Sequence, residues 1–125
     1  MILLVEDHAD TAAVMVRLLK LRGYDAAAVA TGAAALQWVE ATRPSVVVLD
    51  LFLPDMTGFD LIARVRRMPG LTDVPIVVVT GDASPDATRF ACLLGANQVL
   101  VKGSVGPSDL CDVIIRHASP HGEPG

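Results

Sequence analysis

Short apolar runs alternate along the chain with segments in which apolar residues recur at every third or fourth position. The runs are MILLVE, YDAAAV, SVVVLD, VPIVVVT and NQVLVK. Runs of this length are typical of buried strands, and the recurring spacing is typical of amphipathic helices. The alternation predicts an α/β domain whose parallel sheet carries helices on both faces through right-handed crossovers.

Three of the predicted helices begin at residues that cap a helix N-terminus. Thr31, Thr57 and Ser84 each precede a helical pattern, and a hydroxyl oxygen at that position accepts a hydrogen bond from a first-turn N–H group. Pro85 then stands at the first helical position, where a missing N–H group is tolerated. The last helix is predicted to begin at residues 107–108.

The first helix is predicted to begin near Asp10, which can cap it, and to end before Gly23. Several of its residues are apolar, so the buried face has to be chosen by spacing. We predict that this face carries Val14, Leu18 and Leu21, because they lie four and three residues apart and so share one side of a helix.

The size and composition of the chain fit one globular domain. It has 125 residues, of which 52% are hydrophobic and 19% charged, a balance that supports a packed core and argues against disorder. Mean hydropathy is +0.49, yet each apolar run is only of strand length, so we predict no membrane-spanning segment. Met1 leads directly into ILLVED without a basic segment or a cleavage site, which favours a cytoplasmic protein.

The charge pattern argues against direct nucleic-acid binding. The formal net charge is −4, and no basic footprint is present. The densest positive cluster comprises Arg64, Arg66 and Arg67, and we interpret it as the solvated end of a helix. Cys92 and Cys111 show no metal-binding spacing and are predicted to be buried, reduced thiols.

Polar or charged residues end four of the five predicted strands. Glu6 and Asp7 come at the end of the first, Asp50 of the third, Thr80 of the fourth and Lys102 of the fifth. Because the carboxyl ends of parallel strands meet at one edge of a sheet, we expect these side chains at a common rim. Alone, each has an ordinary explanation as a cap, a turn residue or a solvated strand end. Together they place three carboxylates and one ammonium group at that rim.

This combination suits phosphoryl transfer assisted by a divalent cation. Close carboxylates repel one another, and Mg²⁺, which prefers oxygen ligands, relieves that repulsion. Lys102 is expected to bind a phosphoryl oxygen as a point charge, and Thr80 offers a hydroxyl donor. Asp50, which lies centrally, is the predicted nucleophile that attacks phosphorus and becomes an aspartyl phosphate.

Four motifs follow one another along the chain. They are VED at the first strand end, VVVLDLFLPDMTGFDL around the third, PIVVVTGDA at the fourth and GANQVLVK at the fifth. In this order they resemble the receiver domain of two-component response regulators, over nearly the whole length of the chain. The resemblance implies a flavodoxin-like, doubly wound sheet of five parallel strands in the order 2-1-3-4-5. The receiver domain is expected over residues 1–118, and residues 119–125 are interpreted as a flexible tail or a linker stub.

The resemblance also implies a Mg²⁺ site. Glu6 and Asp7 match the acidic pair of the family, with Asp7 as the more direct ligand. Asp50 and the backbone carbonyl of Phe52 match the remaining protein ligands. The family more commonly has an aspartate at the position of Glu6, and the extra methylene group changes the reach of that carboxylate.

The remaining implied roles concern the phosphoryl group and its partners. Asp50 is expected to accept it from a phosphohistidine on a sensor histidine kinase or a histidine phosphotransfer protein, while Thr80 senses it and Lys102 pairs with it. Phosphorylation would switch a surface of the fourth helix, fifth strand and fifth helix that binds an unidentified downstream protein. A homodimer is a further alternative. Such a chain catalyses its own phosphorylation and dephosphorylation and is not a turnover enzyme.

Two positions depart from the family pattern. Val99 stands three residues before Lys102, where the family usually has an aromatic residue, and Gly103 stands where it usually has a cis-proline. A cis bond before a non-proline residue costs about 3–4 kcal/mol, so we predict a trans bond and a different loop. These departures leave an alternative open, a receiver-like interaction module that signals without phosphorylation. The residues that match the family's site argue against it: Asp7, Asp50, Thr80 and Lys102.

Two further residues bear on the lifetime of a phosphoryl group. Phe52 stands two residues after Asp50, and its ring either shades phosphorus from attacking water or packs on a neighbouring loop. Asp82 stands two residues after Thr80, and we favour the interpretation that it is a turn residue over one in which it orients that water.

A small hydrolase or nucleotide-binding enzyme on the same architecture is a third class of function. The sequence contains no G-x-x-x-x-G-K-[ST], no G-x-G-x-x-G after the first strand and no G-x-S-x-G. The loops that cradle phosphates or present a nucleophilic serine are therefore missing from this sequence. The fold alone does not decide among these classes of function, so the residues of the functional site have to decide.

Overall fold

The computed structural model describes residues 1–82 and 84–118, which form an α/β fold. The strands are β1 (Ile2–Val5), β2 (Ala26–Val29), β3 (Val46–Leu49), β4 (Ile76–Thr80) and β5 (Gln98–Val101). The helices are α1 (Ala9–Leu21), α2 (Gly32–Ala41), α3 (Gly58–Arg67), α4 (Pro85–Leu94) and α5 (Pro107–Ala118). Within these two ranges, no helix has both the length and the apolar character needed to cross a membrane. The predicted tail, residues 119–125, lies outside the described residues.

The strands form one parallel sheet in the order β2-β1-β3-β4-β5. This confirms the predicted fold class and strand order. In the register of the sheet, Val5 pairs with Leu49 and Val78 pairs with Val99. The residues that follow Val5 and Leu49 therefore emerge side by side at the carboxyl edge, where the candidate site lies.

Two apolar clusters cover the two faces of the sheet. Alternate residues of each strand point to opposite faces, and the described clusters follow that alternation. On one face, α2, α3 and α4 pack on Leu3, Val5, Val47, Leu49, Ile76 and Val78. On the other, α1 and α5 pack on Ile2, Leu4, Val46, Val48 and Val77. Because both faces are covered, β1 and β3 are buried along their whole length, as their unbroken apolar runs indicate.

Three predicted N-caps, Thr31, Thr57 and Ser84, are confirmed, but the prediction that Asp10 caps α1 is wrong. That helix begins at Ala9, so Asp10 lies within its first turn. The hydroxyl oxygen of Thr31 accepts a hydrogen bond from the N–H group of Ala34, and that of Thr57 accepts one from Asp60. Ser84 caps α4, whose first residue is Pro85. Each cap satisfies an N–H group that has no partner within its own helix.

The predicted buried face of α1 is wrong. Val14 is 51% exposed and Leu21 is 73% exposed, and the buried residues of the helix are Ala12, Met15 and Leu19. Both stripes have the spacing of one helix face, so periodicity could not choose between them. The sheet selects Met15 and Leu19, which pack against the cluster shared with α5.

Arg66 does not belong to a solvated helix end, contrary to prediction. Its guanidinium group donates to the carbonyl oxygens of Leu71 at 3.0 Å, Val74 at 2.6 Å and Gly95 at 2.7 Å. Partial burial lowers the pKa of Arg66, and the charge of Asp73 works in the opposite direction. This one side chain therefore ties the end of α3 to the segment before β4 and to the end of α4.

The two cysteines lie in different environments. Cys111 is buried against the sheet, as predicted, whereas Cys92 is exposed on α4 and that prediction is wrong. Burial raises the pKa of the Cys111 thiol, while the charge of Arg22 opposes this rise. The apolar pattern of α4 suggests a wide buried face that would include Cys92. In the structure, the buried residue of that helix is Ala91.

Candidate functional site at the carboxyl edge of the sheet

Asp50 lies directly after β3 and is 7% exposed. Both of its carboxylate oxygens have partners: Oδ1 accepts a hydrogen bond from the N–H group of Phe52 at 3.2 Å, and Oδ2 accepts one from Nζ of Lys102 at 2.6 Å. A buried carboxylate costs free energy unless it is paired in this way. The ion pair with Lys102 therefore explains why a charged residue can end a buried strand.

Lys102 follows β5 and reaches across the edge of the sheet to two acidic residues. Its Nζ atom lies 2.6 Å from Oδ2 of Asp50 and 3.5 Å from Oε1 of Glu6. Partial burial works to lower the pKa of Lys102, but the hydrogen bond and charge of Asp50 and the charge of Glu6 outweigh it, so the pKa is raised. The ammonium group is thus firmly protonated at neutral pH.

Glu6 and Asp7, which follow β1, are placed differently. Glu6 is half-buried, and its Oε2 atom accepts a hydrogen bond from the N–H group of His8 at 3.0 Å. Asp7 is exposed. Within residues 1–82 and 84–118, no three acidic, histidine or cysteine side chains gather closely enough to hold a metal ion. The structure therefore brings Glu6 and Asp50 together around the ammonium group of Lys102.

The chemistry of the predicted ligand set nevertheless fits a hard divalent cation. Glu6, Asp7, Asp50 and the Phe52 carbonyl offer only oxygen donors, the class that Mg²⁺ prefers. Mg²⁺ also retains several waters, so it needs few protein ligands in direct contact. The ammonium group of Lys102 supplies the positive charge between Glu6 and Asp50 in this structure.

Thr80 is the last residue of β4 and is fully buried. Its carbonyl oxygen accepts a hydrogen bond from the N–H group of Lys102 at 2.7 Å, which fixes the ends of β4 and β5 to each other. Its hydroxyl oxygen accepts one from the N–H group of Asp82 at 3.1 Å. Oδ1 of Asp82 accepts one from the N–H group of Ser84 at 2.8 Å, which confirms that Asp82 is a turn residue.

Gly58, the first residue of α3, lies against the backbone of Asp50. A Cβ atom on Gly58 would meet the carbonyl oxygen of Asp50 at 2.4 Å and the Cα atom of Leu51 at 2.6 Å. The N–H group of Gly58 donates to the carbonyl oxygen of Leu51 at 2.7 Å. Glycine is therefore needed here because the backbone of α3 approaches that of the site too closely for any side chain.

Asp55 anchors the loop between β3 and α3 to the neighbouring helix, a role that sequence reasoning missed. Its two carboxylate oxygens accept hydrogen bonds from the N–H groups of Gly32 at 2.8 Å and Ala33 at 2.9 Å. Bonds from Ala33 and Gly32 hold the pKa of Asp55 below its ordinary value. The sequence does contain an indication of this role. Thr31 caps only one of the free N–H groups at the start of α2, so the others need another acceptor.

Phe52 is 60% exposed, with its side chain largely in solvent two residues from Asp50. Its backbone pairs with that of Thr57 in an isolated bridge, and its N–H group contacts Asp50. A ring that is 60% exposed is compatible with both alternatives, shading of phosphorus and packing on a neighbouring loop.

The two positions that depart from the family pattern lie at and after β5. Val99 pairs with Val78 and packs against the cluster under α2, α3 and α4. Gly103 has a φ of +85°, the left-handed region that favours glycine, and among the described residues no peptide bond is cis. The predicted trans bond is thus confirmed. Gly103 and Lys102 line a cavity of about 200 Å³, together with Glu6 and Asp50.

Comparison with known proteins agrees with this geometry. The family model of the response regulator receiver domain matches residues 2–115 of this chain. The chain belongs to this family, and it is therefore a receiver domain of the two-component response regulators. Receiver domains are signalling modules.

Individual relatives support the assignment. The chain is 34% identical to the two-component response regulator ORR3 of Oryza sativa subsp. indica over 118 residues, which covers 91% of this chain and 89% of the relative. A putative response regulator from Chloroflexus aurantiacus superposes with a TM-score of 0.85 at 28% identity, covering 94% of this chain and 95% of that one. The Mn²⁺-bound form of response regulator Rcp1 superposes with a TM-score of 0.77 at 28% identity, covering 90% and 87%.

Proposed function

We propose that the chain accepts a phosphoryl group on Asp50 from a phosphohistidine of a sensor histidine kinase or a histidine phosphotransfer protein. The observation that carries this proposal is the buried Asp50 carboxylate, 7% exposed and 2.6 Å from Nζ of Lys102 at the carboxyl edge of the sheet. A nucleophile, a fixed positive charge and the Thr80 hydroxyl lie on three adjacent strand ends. Phosphoryl transfer needs this combination of positioning and charge stabilisation.

The proposed transfer has a simple balance of bonds. A carboxylate oxygen of Asp50 forms the new bond to phosphorus while the P–N bond to the donor imidazole breaks. The imidazole nitrogen keeps the electron pair of that bond and takes up a proton. Lys102 pairs with a phosphoryl oxygen, and the Thr80 hydroxyl donates to another. Hydrolysis ends the phosphorylated state. Water attacks phosphorus, the bond between phosphorus and the Asp50 oxygen breaks, and inorganic phosphate leaves.

A divalent cation, Mg²⁺ in this proposal, would be held by Glu6, Asp7, Asp50 and the carbonyl oxygen of Phe52. When bound, it would neutralise charge on the phosphoryl group and so favour the approach of the carboxylate. The Mn²⁺-bound form of Rcp1 supports a divalent cation in a similar fold. Glu6 and Asp50 are both paired with Lys102, so both carboxylates would have to exchange partners when the cation binds.

We further propose that phosphorylation changes a surface of α4, β5 and α5 that binds a downstream protein, in the cytoplasm. The exposed apolar side chains of α4, Phe90 at 50% and Leu93 at 77%, support this location. The chain would catalyse its own phosphorylation and dephosphorylation without turning over a small substrate. A homodimer through the same surface is a second outcome to be measured.

Incubation with acetyl phosphate and intact-mass measurement test the proposal. We expect the chain to gain the mass of one phosphoryl group when Mg²⁺ is present, and Asp50→Asn to gain none. Asp7→Asn should gain far less, whereas Asp10→Asn, which removes a nearby exposed carboxylate on α1, should behave like the unaltered chain. An unaltered chain that gains no mass and binds no beryllofluoride would instead favour the module that signals without phosphorylation.

A further inference from the structure

The cavity of about 200 Å³ beside the candidate site lies between the sheet, α1 and α5. Its inner wall is apolar and belongs to the cluster that α1 and α5 cover, with side chains that include Leu4, Met15 and Val48. Glu6, Asp50 and Lys102 line the same cavity. It therefore connects an apolar interior to the charged edge of the sheet.

The size of the cavity restricts its ligand to a small molecule. Pockets for drug-sized ligands measure about 300–1,000 Å³, whereas an apolar cavity of about 150 Å³ binds benzene. The volume found here lies between these values, so an apolar body of about six to eight carbon atoms fits it. Leu4 is 4% exposed, and Met15 and Val48 are each 6% exposed. A body that reaches these side chains leaves water almost completely, which is favourable.

The charge of the lining selects the polar end of such a ligand. Glu6 and Asp50 supply two carboxylates and Lys102 supplies one ammonium group, so the formal charge of the lining is negative. The side chains of Glu6 and Asp50 are 14% and 9% exposed, whereas that of Lys102 is 41% exposed. Because the acidic groups lie deeper than the ammonium group, a cation is favoured there over an anion.

Glu6 and Asp50 have the capacity to bind a second ammonium group. Nζ of Lys102 lies 2.6 Å from Oδ2 of Asp50 but 3.5 Å from Oε1 of Glu6, so the contact with Glu6 is the looser one. A carboxylate has about four acceptor sites, and an ammonium group has three donors. A primary ammonium group beside Lys102 can therefore donate to both carboxylates.

The loop after β5 offers an entrance to the cavity. Gly103 and Val105 form part of the lining, and a Cβ atom on Gly103 would meet nothing within 4 Å. Gly103 is also exposed. A small ligand can thus approach the charged groups past Gly103 without displacing a side chain there.

We propose that this cavity is a binding site for a small primary amine with an apolar body. The body would lie against Leu4, Met15 and Val48, and the ammonium group would donate to Glu6 and Asp50. This binding does not depend on the proposed phosphorylation. Because Mg²⁺ at the proposed metal site would use the same two carboxylates, the amine and Mg²⁺ should weaken each other's binding by the same factor.

Titration of the full chain with benzylamine, without Mg²⁺ and followed in ¹⁵N spectra, tests the site. Benzoate carries the same ring with the opposite charge, and methylammonium carries the charge without the ring. We expect benzylamine to bind about tenfold more tightly than either, because each comparison removes one of the two contacts. Nuclear Overhauser effects from the ring protons to methyl groups of Leu4, Met15 and Val48 should locate the ring.

Ala12→Leu is designed to fill the cavity, because Ala12 lines it and is 8% exposed. Ala13→Leu is the matched control, since it adds the same group to an exposed position of the same helix. Benzylamine affinity should fall about tenfold in Ala12→Leu, as the ring loses its place in the apolar wall, and stay unaltered in Ala13→Leu. Leu110→Phe, which enlarges a lining side chain of α5, replaces Ala12→Leu if that variant does not fold.

Three results would overturn the inference. The first is benzylamine that binds no more tightly than benzoate or methylammonium. The second is a ring that shows its Overhauser effects to residues outside the cavity, and the third is unaltered affinity in the folded cavity-filling variant. Saturating Mg²⁺ should weaken benzylamine binding, and binding that does not weaken would contradict the shared use of Glu6 and Asp50. A chain that binds benzylamine in the cavity but gains no mass from acetyl phosphate would uphold this site and overturn the proposed function alone.

Discussion

The ammonium group of Lys102 and the carboxylate of Asp50 form a partly buried ion pair, with 2.6 Å between Nζ and Oδ2. The same ammonium group lies 3.5 Å from Oε1 of Glu6. One cation therefore neutralises two acidic residues from different strand ends, and it occupies the space between them. Any divalent cation that uses these two carboxylates has to compete with Lys102.

Replacing Lys102 by methionine should therefore tighten Mg²⁺ binding several-fold. The substitution removes a repulsion between two cations of about 1 kcal/mol or more at this partly screened site. Titration of Mg²⁺ followed in ¹⁵N spectra measures the change. Lys20→Met, which removes an exposed charge at the end of α1, is the control and should leave the affinity unaltered. Unchanged or weaker binding in Lys102→Met would mean that the lysine and the metal do not share these carboxylates.

Replacing Gly58 by alanine should destabilise the chain by about 1–3 kcal/mol, the usual cost of forcing a group into a packed region. The new Cβ atom would meet the backbone of Asp50 at 2.4 Å and Leu51 at 2.6 Å. Because Asp50 itself is displaced, phosphorylation by acetyl phosphate should also slow. Urea unfolding and the rate of mass gain measure the two effects.

Gly106→Ala is the matched control for Gly58→Ala, because a Cβ atom there meets nothing within 4 Å. It should leave both the unfolding free energy and the phosphorylation rate nearly unaltered. Equal behaviour of the two variants would show that the close approach of α3 to Asp50 does not position the nucleophile.

The bonds of Asp55 to α2 predict a pH-dependent contribution to stability. Hydrogen bonds from Ala33 and Gly32 lower its pKa in the folded chain below the ordinary value of 3.8. A lowered pKa means that this stabilisation is complete above the ordinary value and is lost as the pH falls through the folded-state value. Asp55→Asn should therefore unfold at lower urea concentration than the unaltered chain at neutral pH, and the difference should shrink in acid.

Asp25→Asn provides the comparison for that titration. Asp25 is exposed, and its carbonyl oxygen accepts a hydrogen bond from the N–H group of Ile2. Within residues 1–82 and 84–118, its side chain forms no ion pair. Its substitution should change the urea midpoint little at any pH. A difference between Asp55→Asn and the unaltered chain that stays constant with pH would contradict the assignment of the helix anchor to the ionised carboxylate.

The exposed ring of Phe52 predicts a slow loss of the phosphoryl group. The ring stands two residues from Asp50 and is 60% exposed. It can therefore lie over the site without giving up a position in the apolar core. Phe52→Asn should shorten the half-life of the phosphorylated chain several-fold, because water gains access to phosphorus. The decay of phosphorylated mass after removal of acetyl phosphate measures this, and an unaltered half-life would exclude shading by the ring.

Most of the fold and of the candidate site could be predicted from local patterns in the sequence. Thr31 and Thr57 cap helices through bonds within three residues of themselves, so their roles are readable in the sequence. Asp50 and Lys102 were predicted to share a rim because parallel strands end at one edge, and they do. These features depend on spacing and direction alone.

Contacts between distant segments were not predictable in the same way. The sequence predicts a surface position for Arg66, because its partners, Val74 and Gly95, lie in two other segments whose contact no periodicity encodes. The choice of Met15 over Val14 for the buried face of α1 likewise depends on how α1 sits against the sheet and α5. For α1 the sequence offers two satisfactory stripes, and tertiary packing decides between them.

The location of the phosphoryl group tests the central claim most directly. After reaction with acetyl phosphate and Mg²⁺, borohydride reduces an aspartyl phosphate to homoserine, and tandem mass spectrometry identifies the residue that has changed. The account predicts homoserine at position 50 in the unaltered chain and none in a chain that was not phosphorylated. Reduction at another acidic residue, or at none, would contradict it.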